Sequence, residues 1–162
     1  MEIVRANMEQ LAGIMEIYAA ARAYMCAQGN PTQWGNGYPG EELIRADIEA
    51  QKLYTCVENG EILGVFYFAV GDDPTYTRID GGAWLNNRPY GVIHRIAVAV
   101  HGKGVAGFCF DYGFAQCKNL KIDTHRDNIP MQRALSKHGF VPVGTIYLEN
   151  GEARVAYQKS VG

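Results

Sequence analysis

The sequence has no CxxC pair and no metal-type spacing among its four cysteines, Cys26, Cys56, Cys109 and Cys117. That excludes a zinc ribbon or a CxxC redox centre, and no metal is expected. No apolar run approaches the ~20 residues that cross a bilayer, so no membrane partner is expected. The opening residues, Met1-Glu2-Ile3-Val4-Arg5, lack the basic and apolar regions of a secretory leader. A cytoplasmic setting with four reduced thiols is therefore the expectation. An excess of charge of one sign is missing too. Fifteen Lys and Arg against seventeen Asp and Glu leave a net charge of −2, with no general attraction for nucleic acid. Proline is scarce, six residues against nineteen glycines, which favours tight turns over low-complexity linkers.

What is present is enough for one core. The 162 residues are 48% hydrophobic and 20% charged, the profile of a single globular domain spanning 1–162. Ile3 to Arg5 reads as a strand. Asn7 with Gln10 resembles a capping box ahead of a helix over Met8–Ala27, whose apolar positions recur at Leu11, Ile14, Met15, Tyr18, Ala21 and Met25. Gly29-Asn30-Pro31 ends it, and an aromatic loop through Trp34 and Tyr38 follows. A helix over Glu41–Ala50 precedes strands Leu53–Glu58 and Ile62–Val70, joined by the hairpin signal Asn59-Gly60. Asp72-Asp73-Pro74 breaks the pattern, and residues 74–90 carry Tyr76, Trp84 and Tyr90 without a clear period. Then come a strand Val92–Val100, a helix from Lys103 to Cys117, a strand Lys121–Thr124, a helix Ile129–His138 and a final hairpin, Val143–Leu148 with Ala153–Lys159. The order predicts one α/β domain with a mixed sheet.

The chemistry concentrates in His94-Arg95-Ile96-Ala97-Val98-Ala99-Val100-His101-Gly102-Lys103-Gly104-Val105-Ala106. A strand runs through a glycine turn into a helix start, where unpaired N–H groups and a partial positive charge favour an anion. Gly102 and Gly104 allow close backbone approach, and Lys103 adds a cation. A plain strand-to-helix turn would use the same glycines. Gly102-x-Gly104-x-x-Gly107 also fits a dinucleotide fingerprint, but no βαβαβ half with an acidic partner accompanies it.

His101-x-x-Gly104-x-Ala106 resembles the Q/R-x-x-G-x-G/A signature of the GCN5-related N-acetyltransferase (GNAT) family, with His in the Gln or Arg position. Leu120 to Asn128 resembles that family's fifth strand and the Asn opening its next helix, and Lys137-His138-Gly139-Phe140 resembles the end of that helix. The element order matches over essentially the whole chain. The resemblance implies a mostly antiparallel mixed sheet splayed between strands 4 and 5, flanked by helices, with acetyl-CoA as acyl donor. It places pantetheine against Ile96, Ala97 and Val98, and the pyrophosphate on the turn formed by His101, Gly102, Lys103, Gly104, Val105 and Ala106. Asn128 matches a cofactor-contacting Asn; a helix cap is its competing role. The family also pairs edge to edge, which makes a homodimer an expectation.

An amine nucleophile must lose a proton, and His94 is the candidate general base because histidine titrates near working pH. Its position resembles the fourth-strand histidine of arylalkylamine N-acetyltransferases; a hydrogen-bonded structural histidine is the alternative. Alternation puts His94 on one face with Ile96 and Val98. His125 shares a strand face with Asp123, where a water-relaying pair competes with a plain polar edge. The family's general-acid Tyr falls at Leu135, which leaves the acid unassigned. Trp34, Tyr38, Tyr67 and Trp84 are the candidate walls of an acceptor pocket or else core, and Asp80 and Asp123 are acids that could bind an ammonium. As a group the aromatics favour a small-molecule amine over a protein tail, and with the resemblance they give the expectation of acetyl transfer to a primary amine by direct attack in a ternary complex. The alternative is a CoA-binding sensor or interaction module of the same fold with altered catalysis.

Overall fold

A computed structural model describes residues 1–161. Seven strands form one sheet in the order β1-β2-β3-β4-β5-β7-β6: β1 Glu2–Arg5, β2 Leu53–Glu58, β3 Glu61–Val70, β4 Gly91–Val98, β5 Asn119–Thr124, β6 Val141–Tyr147 and β7 Ala153–Ser160. Every pairing is antiparallel except β4 with β5. This single parallel pair excludes a dinucleotide-type sheet, whose strands run parallel throughout.

The helices are α1 Leu11–Ala27, α2 Glu41–Glu49, α3 Val105–Cys117 and α4 Ile129–Lys137. Asn7 starts the first helical run with a reciprocal box. Its side chain accepts from the Gln10 N–H at 3.2 Å, and Gln10 accepts from the Asn7 N–H at 3.1 Å. One 3₁₀ turn, Met8–Gln10, then leads into α1, so the α-helix begins three residues later than its apolar period suggests. The α1 stripe Leu11, Ile14, Tyr18 and Ala21 packs with Ile44, Ile48, Leu53, Val65 and Ala97 on one face of the sheet. On the other face Phe66, Ile93, Ile96, Phe110, Leu120 and Leu135 pack beneath α3 and α4. A third cluster, Tyr76, Tyr90, Val92, Val143 and Ile146, lies under the 71–90 connection.

Two features of β4 position the site. Its ladder with β5 holds only Gly91 opposite Leu120 and Val92 opposite Lys121, after which the strands part. Beyond that point the β5-facing edge of β4 lacks a neighbour, and the sheet opens into a wedge. The β3 register then steps from Tyr67 opposite His94 to Val65 opposite Ala97, so Arg95 and Ile96 together face Phe66. This is a β-bulge, with Arg95 at φ +52°. The carbonyl of Arg95 accepts from the Tyr18 hydroxyl at 2.8 Å, and its guanidinium is held by Asp47 at 2.8 and 3.0 Å.

The bulge resets alternation. Ile93 and Ile96 both enter the α3–α4 core, while Ala97 enters the α1–α2 core. His94 therefore does not share a face with Ile96, contrary to the simple period-2 reading. β4 also stops at Val98, two residues short of the expected end. α3 starts at Val105 rather than Lys103, because Gly102 and Gly104 take left-handed φ of +81° and +78° before it.

Candidate active site

The wedge between β4 and β5 carries two cavities. The smaller, about 340 Å³, is lined by Ile96, Ala97, Val98, His101, Gly102, Gly104, Val105, Ala106 and Asn128 with parts of α1, α3 and α4. A Cβ added at Gly102 or Gly104 would meet no atom within 4 Å, so bare backbone forms this wall ahead of the α3 N-terminus. At Gly107 an added Cβ would fall 2.1 Å from the His138 ring, so a side chain there would displace that ring. His101 stacks on Tyr24 of α1, with centroids 3.9 Å apart and planes at 20°. Lys103 does not line the cavity: its ammonium pairs with Glu58, and only its backbone stays in the turn. A buried Asn128 both caps α4, accepting from the Met131 N–H at 3.2 Å, and donates to Gln33 at 3.0 Å. The cap and the cavity wall are thus one residue.

The larger cavity, about 920 Å³, opens on the other side of the wedge. It meets the first at Met25, Ile96 and Met131, which line both. Its floor carries Asp73, His94 and Asp123 side by side. His94 Nε2 lies 2.7 Å from Asp73 Oδ2, and Nδ1 lies 4.0 Å from Asp123 Oδ2. Asp123 Oδ2 also accepts from the buried Tyr76 hydroxyl at 2.7 Å. Asp73 divides its oxygens. Oδ1 caps a 3₁₀ turn by accepting from the Thr75 N–H and hydroxyl at 2.9 and 2.7 Å, and Oδ2 serves His94. Burial would raise this carboxyl, but the hydrogen bonds from His94 and Thr75 outweigh it and hold it down at about 2. An ionised Asp73 accepts the Nε2–H, which leaves Nδ1 as the basic nitrogen beside Asp123.

Neither Asp73 nor Tyr76 was legible as a site residue. Asp73 reads as a breaker and Tyr76 as one aromatic of an irregular stretch. The one local signal is the Asp-Pro-Thr cap, which fixes where the carboxylate sits but not what it faces. His125 is turned away from Asp123: it meets Thr32 at 3.2 Å and Asp127 at 3.6 Å. Asp80 pairs with Arg78 at 2.7 Å and lies outside the cavity.

The four aromatics divide. Trp34 and Tyr38 line the larger cavity, in edge contact with centroids 6.2 Å apart, and Tyr38 accepts from Arg95 at 3.2 Å. Tyr67 lies under the Arg95 guanidinium at 4.6 Å and is absent from the wall. Trp84 is also elsewhere. Its Nε1 donates to the Tyr76 carbonyl at 2.9 Å, and it shares with Tyr90 the buried Lys121 ammonium, 4.0 and 3.7 Å from the rings. Burial pushes that ammonium down to about 8. Leu135 is fully buried in the α4 core, so its position supplies no acid.

A solved GNAT-family acetyltransferase from Streptococcus agalactiae superposes on this chain with a TM-score of 0.89 and 30% identity, over 99% of this chain and 95% of that one. The chain belongs to the GNAT family of acetyltransferases. A provisionally assigned acetyltransferase from Staphylococcus aureus is similar at TM-score 0.71 and 26% identity, over 99% of both chains. One from Salmonella typhimurium, of the same provisional standing and solved with its cofactor acetyl-CoA, shares the fold at TM-score 0.66 and 17% identity, over 99% of this chain and 94% of that one. No family model and no curated protein matches. The mixed sheet with its one parallel β4–β5 pair is thus the GNAT fold. Among the described residues there is no metal-type cluster and no helix long and apolar enough to cross a membrane.

Proposed function

We propose that this GNAT acetyltransferase moves an acetyl group from acetyl-CoA to a small-molecule primary amine by direct attack in a ternary complex, with His94 as general base. The observation that carries the reading is the Asp73–His94–Asp123 row on the wall of a cavity that meets the glycine-turn cavity at Ile96. Acetyl-CoA supplies the acetyl group activated as a thioester. The residues fit it: bare backbone at Gly102 and Gly104 before a helix N-terminus suits a pyrophosphate, and the unpaired edge of β4 around Ile96 and Val98 suits a pantetheine amide.

An alkylamine with a pKa near ~10.4 arrives protonated. Asp123 Oδ2 and His94 Nδ1, 4.0 Å apart, are two acceptors that an ammonium's N–H groups can reach together. His94 takes one proton, and the resulting imidazolium lies between the Asp73 and Asp123 carboxylates. Thiols of ordinary pKa, about 8.5, leave without a strong acid, which accommodates Leu135 where the family often has Tyr. A volume of about 920 Å³ with Trp34, Ile122 and Leu148 on its wall suits a small amine with apolar character.

The test is release of CoA thiol across a panel of small amines, for wild type and His94→Gln. Turnover by wild type that collapses in the variant is the expected result. Tight acetyl-CoA binding with no turnover for any amine would leave the sensor reading instead.

A further inference from the structure

Thr124, the last residue of β5, is 1% exposed, yet its Oγ1 has no hydrogen-bond partner. A buried hydroxyl without a partner is costly, and native proteins rarely leave one so. Asn30 Oδ1 is the only other such side-chain atom among the described residues, and Asn30 lines neither cavity. Thr124 lines the larger cavity together with Ile96 and Met131, which belong to both. Strand alternation sets its direction. Asp123 points to Tyr76 and His94 on the acceptor side, while Ile122 enters the core with Ile96 beneath α3 and α4. Thr124 follows Ile122 to that face. Thr124 lies three residues past Lys121 on β5, as Arg95 lies three past Val92 on β4, so both stand within the opened part of the wedge.

We propose that the Thr124 hydroxyl donates a hydrogen bond to the sulfur of bound CoA. This rests on acetyl-CoA being the donor and deepens that reading. A thioester sulfur is a poor acceptor and a thiolate a strong one, so the bond strengthens as the C–S bond breaks and its electron pair passes to sulfur. Thr124 gives up no proton; the O–H stays on oxygen, and the thiolate takes, through water, the second proton that the nitrogen sheds as the amide forms. A hydroxyl from β5 then serves the leaving group that Leu135 on α4 cannot reach as an acid.

The test needs no acceptor. The thiol of CoA bound to wild type, Thr124→Val, Thr124→Ser and Thr124→Ala is titrated by the ultraviolet absorbance of the thiolate, with calorimetric CoA affinity and thermal melts alongside. The bound thiol titrates about one unit lower in wild type and Thr124→Ser than in Thr124→Val, and Thr124→Ala follows Thr124→Val should the latter fold poorly. The same titration in all four proteins overturns the proposal. Failure of wild type to bind CoA at all removes the donor reading, and this inference with it.

Discussion

The smaller cavity, the proposed seat of acetyl-CoA, takes most of its wall from one stretch, Ile96 to Gly107, with bare backbone at Gly102 and Gly104. The larger cavity, the proposed acceptor site, draws on stretches around residues 32–38, 73–75, 93–96, 122–124 and 148–154 and on Met25, Leu43 and Met131 from three helices, and its chemistry lies in side chains. A backbone cradle depends on local φ/ψ, so it demands glycine at fixed spacing and tolerates change between the glycines. A side-chain row assembled from the β3–β4 connection, β4 and β5 depends on strand register and a bulge. The first should survive loss of a side chain such as that of Lys103; the second should fail on loss of one.

The largest effect expected is on the acceptor side. His94→Gln should lower kcat/KM by about 10²–10⁴-fold, with no loss of acetyl-CoA affinity. Asp73→Asn keeps the base but loosens its tautomer and position. A fall of about 10–100-fold in kcat is expected, with acceptor KM little changed. Asp73 also links this site to acid stability. Its carboxyl titrates near about 2 in the folded chain, below the ordinary value of about 3.9, so its stabilising contribution is full above the ordinary value. It is lost as pH falls from there toward 2. Thermal melts of Asp73→Asn should show lower stability at neutral pH and a flatter decline through that acid window.

On the cofactor side, Gly104→Val forces a branched side chain into φ +78° and crowds the cradle. Acetyl-CoA affinity should drop about tenfold, leaving His94 in place. Smaller still is the contrast between two tryptophans. Trp34→Phe should raise acceptor KM about threefold to tenfold without touching acetyl-CoA affinity, whereas Trp84→Phe should leave both unchanged. Lys103→Ala should change acetyl-CoA affinity less than about twofold, because its ammonium already pairs with Glu58 at the surface.

How much was legible in the sequence follows the same division. The helix–strand order, the turn at 101–106 and the capping box at Asn7 are local patterns, and each stands where its residues place it. The start of α3 moved to Val105 because two left-handed glycines flank Lys103, a conformational fact that residue identity only hints at. His94 could be singled out by residue type, but its face could not. The Arg95–Ile96 bulge, held by Tyr18 and Asp47 from other elements, reverses the period-2 expectation. Asp73, Tyr76 and Thr124 acquire meaning only once β3, β4 and β5 lie together, and Trp84 reads as a pocket wall until the buried Lys121 beneath it is seen.

The measurement that bears most directly on this division is a calorimetric titration of acetyl-CoA, with NADH as a control, into wild type and His94→Gln. The account predicts one saturable site of equal affinity in both proteins and none for NADH, with turnover lost only in the variant. Absence of acetyl-CoA binding by wild type, or its loss along with the His94 side chain, would contradict it.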